Sequence, residues 1–376
     1  MAEYRLALPH EEEDILDFVN MVFSQAAVPR HFDTLIPKVY KHPGYGDFHY
    51  VAVEKDRIRG LVAMLPVELK MDENLSLKGG YIGSVAVHER YRGEGYMKKL
   101  MDMAVADAKE KGYDFLSLGG QRQRYNYWDF ERCGMNRTFY LTGTNVRHAM
   151  KDVDESGIVI REITDPSDAQ LDAIYDLAMG SHMICDRPRE KFLDIMSSYE
   201  NHLYAAENEA GALLGYLCGR ADALVEMEVY DEAMIPPVLK AWMKNRNGCN
   251  IKAPFYRPEW AKYLKKTAER YGIDDSQMFR ILNWQKVLET GLAYRFAHAY
   301  LPKGQLIVEI ENEGRYLLEV DEGVRVAETD EDPDFVFTHR EAVAFFFSPY
   351  EWTVTDSPLV KCWLPLPLEI RDVDKF

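Results

Sequence analysis

The sequence has little cysteine, no basic excess and no long apolar run. Its five cysteines, Cys133, Cys185, Cys218, Cys249 and Cys362, are scattered, with no CxxC pair. An odd, unpatterned set predicts a reducing, cytoplasmic setting. It argues against a disulfide framework and against structural zinc. No HExxH and no His/carboxylate cluster points to a catalytic metal. No apolar run is long enough to cross a bilayer, so no membrane association is expected. The start, MAEYRLALPHEEEDIL, has no basic start followed by an apolar run, so no secretory signal is expected. The net charge of −17 argues against nucleic acid, which needs basic patches. It is compatible with cationic substrates steered by the field, and equally with plain solubility.

What the chain has is length and core. Its 376 residues can hold two or three domains, and 47% hydrophobic with 12% aromatic content suits buried cores. The organising stretch is Tyr81–Gly95, YIGSVAVHERYRGEG. Tyr81–Val87 reads as a buried strand. Arg90-Tyr91-Arg92-Gly93-Glu94-Gly95 follows. Next comes an amphipathic helix with apolar Met97, Leu100, Met101, Ala104, Val105 and Ala108, and Gly112 fits its C′ position. A strand therefore feeds a glycine loop that opens a helix, and such a junction binds anions. The first helical N–H groups have no intrahelical partner and the dipole is positive there. Gly93 and Gly95 hold nothing off the backbone, and Arg90 and Arg92 add permanent charge. A surface corner with two arginines would show the same six residues.

The loop, the strand before it, the helix after it and the next strand at Phe115–Leu118 together resemble the GNAT acetyltransferases, whose motif is [RQ]xxGx[GA]. Arg90–Gly95 meets it at every fixed position. The resemblance implies that acetyl-CoA is the co-substrate. Its pyrophosphate would be held at Arg90, Arg92, Gly93, Glu94, Gly95, Tyr96 and Met97, and its pantetheine would pair with Val85, Ala86 and Val87. The expected element order from Tyr4 to Leu118 is β-α-α-β-β-β-α-β, the order of the GNAT core.

After Leu118 comes GGQRQRYNYWDFERCGM. A tyrosine in this region of GNAT enzymes often protonates the leaving thiolate. RYNYWDF resembles the IYGRFGY segment of the enhanced-intracellular-survival (Eis) acetyltransferases. That register makes Tyr125 the acid, although Asp129 stands where that family has glycine. The other register aligns FERCGM with FYExxGF, puts Phe130 at the tyrosine position and leaves no acid. Tyr127 is the reserve. Both tyrosines also read as packing residues.

Arg137–Val146 is expected to close a first, catalytic domain (1–150) as a strand. A second cycle of the same element order, residues 151–283, includes a helix at Glu259–Tyr271 and a strand at Met278–Leu282. Where the first cycle has RYRGEG this one has Tyr230-Asp231-Glu232-Ala233-Met234-Ile235. Two carboxylates there would repel a pyrophosphate, so this unit is expected to bind no CoA. Residues 284–376 begin with a helix at Trp284–His298, followed by short strands and a capping box at Thr338–Glu341. They resemble the sterol-carrier-protein-like domain of the Eis family. The overall expectation is an α/β (α+β) chain of two tandem GNAT-like mixed-sheet domains and one sterol-carrier-like domain. Phe345-Phe346-Phe347 reads as core rather than a lipid site. In Eis enzymes the chain end enters the first domain's site, which makes the Phe376 α-carboxylate a candidate base beside the plain reading of a frayed terminus. Glu68 is the fallback. The resemblance implies acetyl transfer to a primary amine of an aminoglycoside, polyamine or lysine side chain, and a homo-oligomer, a hexamer. Two other readings stay open: a CoA-binding sensor without turnover, and a lipid carrier.

Overall fold

The computed structural model describes residues 2–25, 28–350, 353 and 355–376. Among these residues the architecture is mixed α/β with three sheets. In the first sheet the strands lie in the order Glu3–Leu6, His49–Val53, Ile58–Lys70, Ser76–Val87, Phe115–Leu118, Gln277–Ile281, Glu131–Cys133. In the second the order is Ile158–Glu162, His202–Asn208, Leu213–Arg220, Ala223–Val229, Gly248–Ala253, Asn136–Thr142, Arg270–Asp274. Along each of these paths one pair is parallel, and it falls at the same place. It joins Ser76–Val87 to Phe115–Leu118 in the first sheet and Ala223–Val229 to Gly248–Ala253 in the second.

The sheets do not follow the segments expected from the sequence. The strand expected at Arg137–Val146 to close the first domain is Asn136–Thr142, and it lies in the second sheet. The strand expected at Met278–Leu282 in the second cycle is Gln277–Ile281, and it lies in the first sheet. The cause is a single antiparallel ribbon. Residues 131–142 run against 270–281, with Cys133 opposite Gln277 and Asn136 opposite Asp274. The ribbon passes from one sheet into the other at Gly134, whose φ of +74° suits glycine. A Cβ there would strike Ser276 and the Leu368 carbonyl.

Three shorter corrections have local causes. The strand ends at Thr142 and not Val146, because Thr142 and Asn145 form a capping box that starts a helix at Gly143. The Glu259–Tyr271 helix is Pro258–Thr267, since Arg270–Asp274 is taken by the ribbon. The second helix of the expected β-α-α-β order is two short turns, Phe32–Leu35 and Pro37–Tyr40, broken at Ile36 before proline.

The third sheet, Gly304–Phe337, packs on helix Trp284–His298. Thr338 and Glu341 form the expected capping box of helix His339–Phe347. Phe345, Phe346 and Phe347 are all buried, with Trp284 beside Phe346 at 6.2 Å. Among the described residues no helix is long and apolar enough to cross a membrane.

From Leu366 the chain runs back across both halves. Arg187, fully buried, reaches Asp374 at 2.7 Å and Glu226 at 2.8 Å. Arg371 lies 3.3 Å from Glu226 and 3.6 Å from Glu228. Asp372 pairs with Lys252 and with Lys375 at 2.7 Å. Buried Lys38 donates to the carbonyls of Val373 and Lys375. Burial alone would push Glu226 and Asp372 up. Their cationic partners, led by Arg187 for Glu226 and Lys375 for Asp372, bring both down to about 2. Such a network fixes one position for the tail more than it adds net stability.

Among the described residues Glu369 has no such close partner. Burial pushes its carboxyl up to about 7, against Lys375 and Arg371. The folded chain keeps a proton there that the unfolded chain releases near its ordinary value of 4.5. Stability should therefore fall as pH rises from about 4.5 to about 7, on the order of 1–3 kcal/mol. Glu369→Gln should remove that loss. Calorimetric scans should find the variant more stable than the parent at about pH 8, with the gap closing toward about pH 5. Parallel pH profiles would contradict the assignment.

Candidate active site

The site forms where two parallel strands part. Ser76–Val87 pairs with Phe115–Leu118 only from Gly79↔Phe115 to Ile82↔Leu118. Phe115–Leu118 ends there, and Gly119-Gly120 turns away. Residues 83–87 continue alone, so one edge of Val85, Ala86 and Val87 faces an open fork. Pairing with Ile58–Lys70 covers the other edge.

At the mouth of the fork stands the glycine loop. Helix Tyr96–Glu110 begins after Gly95 with no side-chain cap. Gly93 and Gly95 take φ of +87° and +81°, and among the described residues nothing lies within 4 Å of a Cβ built on either. The backbone N–H groups of residues 93–98 donate to no acceptor among the described residues. Six consecutive free N–H groups on a left-handed turn at a helix start make an anion-binding nest. Arg90, Arg92 and Glu94 are exposed around it, Tyr96 is buried and Met97 partly so. The Tyr96 hydroxyl donates to Glu54 at 3.2 Å. Lys98 and Lys99 add two further cations in the first helical turn, which the motif alone did not single out. These residues fit a pyrophosphate.

Tyr125 closes the helix side of the fork. It ends the short helix Arg122–Tyr125, is 6% exposed, and shares a cluster with Ile82, Leu100, Met101 and Leu118. A Cβ on Gly120 would lie 2.8 Å from its ring, so the glycine after the fork makes room for it. Burial pushes its hydroxyl pKa up, with Arg124 opposing. The hydroxyl therefore holds its proton at neutral pH. Phe130 is fully buried in the same cluster, 6.4 Å from the Tyr125 ring. Tyr127 is 62% exposed and lies under Lys98. Its ring stands outside that buried cluster, against Trp128 at 4.9 Å.

Phe376 closes the opposite face. Its ring is so near Gly83 that a Cβ there would lie 2.6 Å from it. It packs 6.2 Å from the Tyr40 ring and belongs to the other core cluster, with Tyr81 and Phe115. Tyr125 and Phe376 thus flank the fork from its two faces. A cavity of about 360 Å³ lies beside the tail, and Glu68, Lys38, Cys185 and Asp374 are part of its wall. Sequence reasoning missed Tyr40, His49 and Ser84. They form a buried hydrogen-bonded chain at the fork, but no motif ties residues so far apart in sequence.

The matching corner of the second sheet is shut. Asp231 caps the Ala233 N–H at 2.9 Å, and Glu232 is paired with Arg257 at 2.7 Å. Pro236 and Pro237 remove two of the N–H groups that could have met a phosphate. The tail's Arg371 and Asp372 lie against these strands, on Glu226, Glu228 and Lys252.

Fork, nest and strand order define the class: the fold is that of GNAT acetyltransferases. Residues 3–127 match the family model described as an acetyltransferase (GNAT) domain. No curated protein matches the chain. Over its whole length the chain is similar to a GCN5-related N-acetyltransferase from Anabaena variabilis, with TM-score 0.70, 14% identity and 100% of both chains covered. It is similar to Eis1 from Mycobacterium abscessus, with TM-score 0.67, 14% identity and 100% of both chains covered. A GCN5-related N-acetyltransferase from Kribbella flavida gives TM-score 0.68 at 13% identity, covering 100% of this chain and 98% of that one.

Proposed function

We propose that the chain transfers acetyl from acetyl-CoA to a primary amine. The observation that carries this reading is the run of free N–H groups at residues 93–98, set beside the fork and ringed by Arg90 and Arg92. Acetyl-CoA, when bound, supplies an activated acetyl thioester. The nest and its arginines hold the pyrophosphate. The free edge of Val85–Val87 pairs with the pantetheine and directs the thioester to the fork. Backbone N–H groups there meet negative charge developing on the carbonyl oxygen. Tyr125 keeps its proton at neutral pH and gives it to the departing sulfur. A free α-carboxylate at Phe376, anchored by the tail's ion pairs, would take the amine's proton. Glu68 is the alternative.

The Eis likeness and the chain's acidity support an aminoglycoside, polyamine or lysine amine as acceptor. The same proposal takes residues 1–150 as the catalytic unit, 151–283 as a companion without CoA and 284–376 as a sterol-carrier-like unit, with Asn136–Thr142 and Gln277–Ile281 exchanged between the first two. A cytoplasmic homo-oligomer, a hexamer, belongs to the same proposal. Thiol release from acetyl-CoA should be followed with kanamycin A, spermidine, cadaverine and a lysine peptide. Turnover with an amine supports the reading. Tight CoA binding with no turnover on any amine would replace it with a CoA sensor.

A further inference from the structure

Ser84 lies on the strand that borders the fork. The ladder slips there: Leu61 faces Ala86 but Ala63 faces Gly83, so Ser84 and Val85 together oppose Val62. Ser84 takes a φ of +47°, a left-handed conformation that costs a residue with a Cβ about 1 kcal/mol or more. Such strain persists where surrounding contacts impose it.

Those contacts also fix the direction of every proton. The Ser84 Oγ lies 2.6 Å from the Tyr40 hydroxyl, which lies 3.1 Å from His49 Nε2. His49 Nδ1 lies 2.6 Å from the Tyr45 carbonyl. A carbonyl only accepts, so Nδ1 carries the proton. Burial pushes the His49 pKa down to about 4, so the ring is neutral and Nε2 is bare. Tyr40 must then donate to His49, and Ser84 must donate to Tyr40. The proton of Ser84 is committed, and its oxygen offers other groups only lone pairs.

We propose that Ser84 Oγ accepts one N–H of the attacking amine and so selects primary over N-substituted amines. This rests on the acetyl-transfer reading. A neutral primary amine points its lone pair at the carbonyl and has two N–H groups. One goes to the base, and the other needs an acceptor in a closed site. The register slip turns Ser84 toward Tyr40, whose ring packs against Phe376, so Ser84 is on the face opposite Tyr125. A secondary amine brings carbon where the second N–H would be and leaves the oxygen desolvated.

The test is Ser84→Gly, because glycine removes the oxygen and suits the positive φ. Cadaverine and N,N′-dimethylcadaverine serve as probes; if cadaverine is not acetylated, the best amine of the panel and its N-methyl analogue replace them. Wild-type protein should favour the primary amine. Ser84→Gly should lower kcat/KM for it by about tenfold, change the methylated probe little, and leave CoA affinity unchanged. Tyr40→Phe frees the Ser84 proton and should shift the same ratio, with the double variant no worse than Ser84→Gly. A merely structural serine would lower both probes together, or give additive losses. Either result, or an unchanged preference in Ser84→Gly, overturns the inference and leaves acetyl transfer standing. No turnover on any amine in the wild type overturns both.

Discussion

Tyr125→Phe should lower turnover by about 10²–10⁴-fold and leave CoA affinity nearly unchanged, the pattern of a lost positioned acid. The substitution removes one oxygen and keeps the ring that fills the space over Gly120. Packing with Leu118 and Phe130 is therefore retained, and the fold should hold. The thiolate released without a proton donor is a poor leaving group, so the loss should appear in kcat. Tyr127→Phe should do much less, because that side chain is 62% exposed and lies under Lys98. Steady-state kinetics with acetyl-CoA and an accepted amine, beside CoA binding by calorimetry, separates the two. Full turnover in a folded Tyr125→Phe protein would favour the Phe130 alignment, with the proton reaching sulfur through water.

Arg187→Leu should cost about 3–5 kcal/mol of stability, the usual result of breaking a buried ion pair from one side. Arg187 is fully buried and holds both Glu226 and Asp374. Without it two carboxylates stay in the interior with one cation fewer, and Arg371 is left to hold Glu226. The tail should loosen, and residues beyond Ile370 should become accessible to protease. Acetyl transfer should fall with it, while CoA binding, which the proposal assigns to residues 93–98, should persist. Asp374→Asn is the gentler variant if the first does not fold. Denaturant unfolding and limited proteolysis read the effect. A stable variant with a protected tail would show that the tail is held by packing of Val373 and Phe376 and not by charge.

The parts legible in the sequence were local. The RYRGEG loop, its helix, Gly112 and the Thr338 capping box each sit within a few residues of their partners, and spacing alone specifies them. The acidic, proline-bearing corner at Tyr230–Pro237 was legible for the same reason. Strand exchange was not. Asn136–Thr142 and Gln277–Ile281 are short alternating runs, and periodicity says that a run is a strand without saying which sheet takes it. Only the pairing of 131–142 with 270–281 along one ribbon decides it. The buried ions were hidden too. Arg187, Glu226, Glu228 and Lys38 are residue types that usually face water, and nothing local marks them as interior. Ser84 reads as an ordinary strand position. Its left-handed turn follows from Tyr40 and His49, 44 and 35 residues away in sequence.

Titrating CoA into the intact protein by calorimetry tests the central claim most directly. The nest at residues 93–98 is open, and its counterpart is closed by Asp231, Pro236 and Pro237. The predicted result is one CoA per chain, with binding lost in a folded Gly93→Asp variant, where a carboxylate would meet the pyrophosphate. Two CoA per chain, or wild-type affinity in Gly93→Asp, would contradict the account.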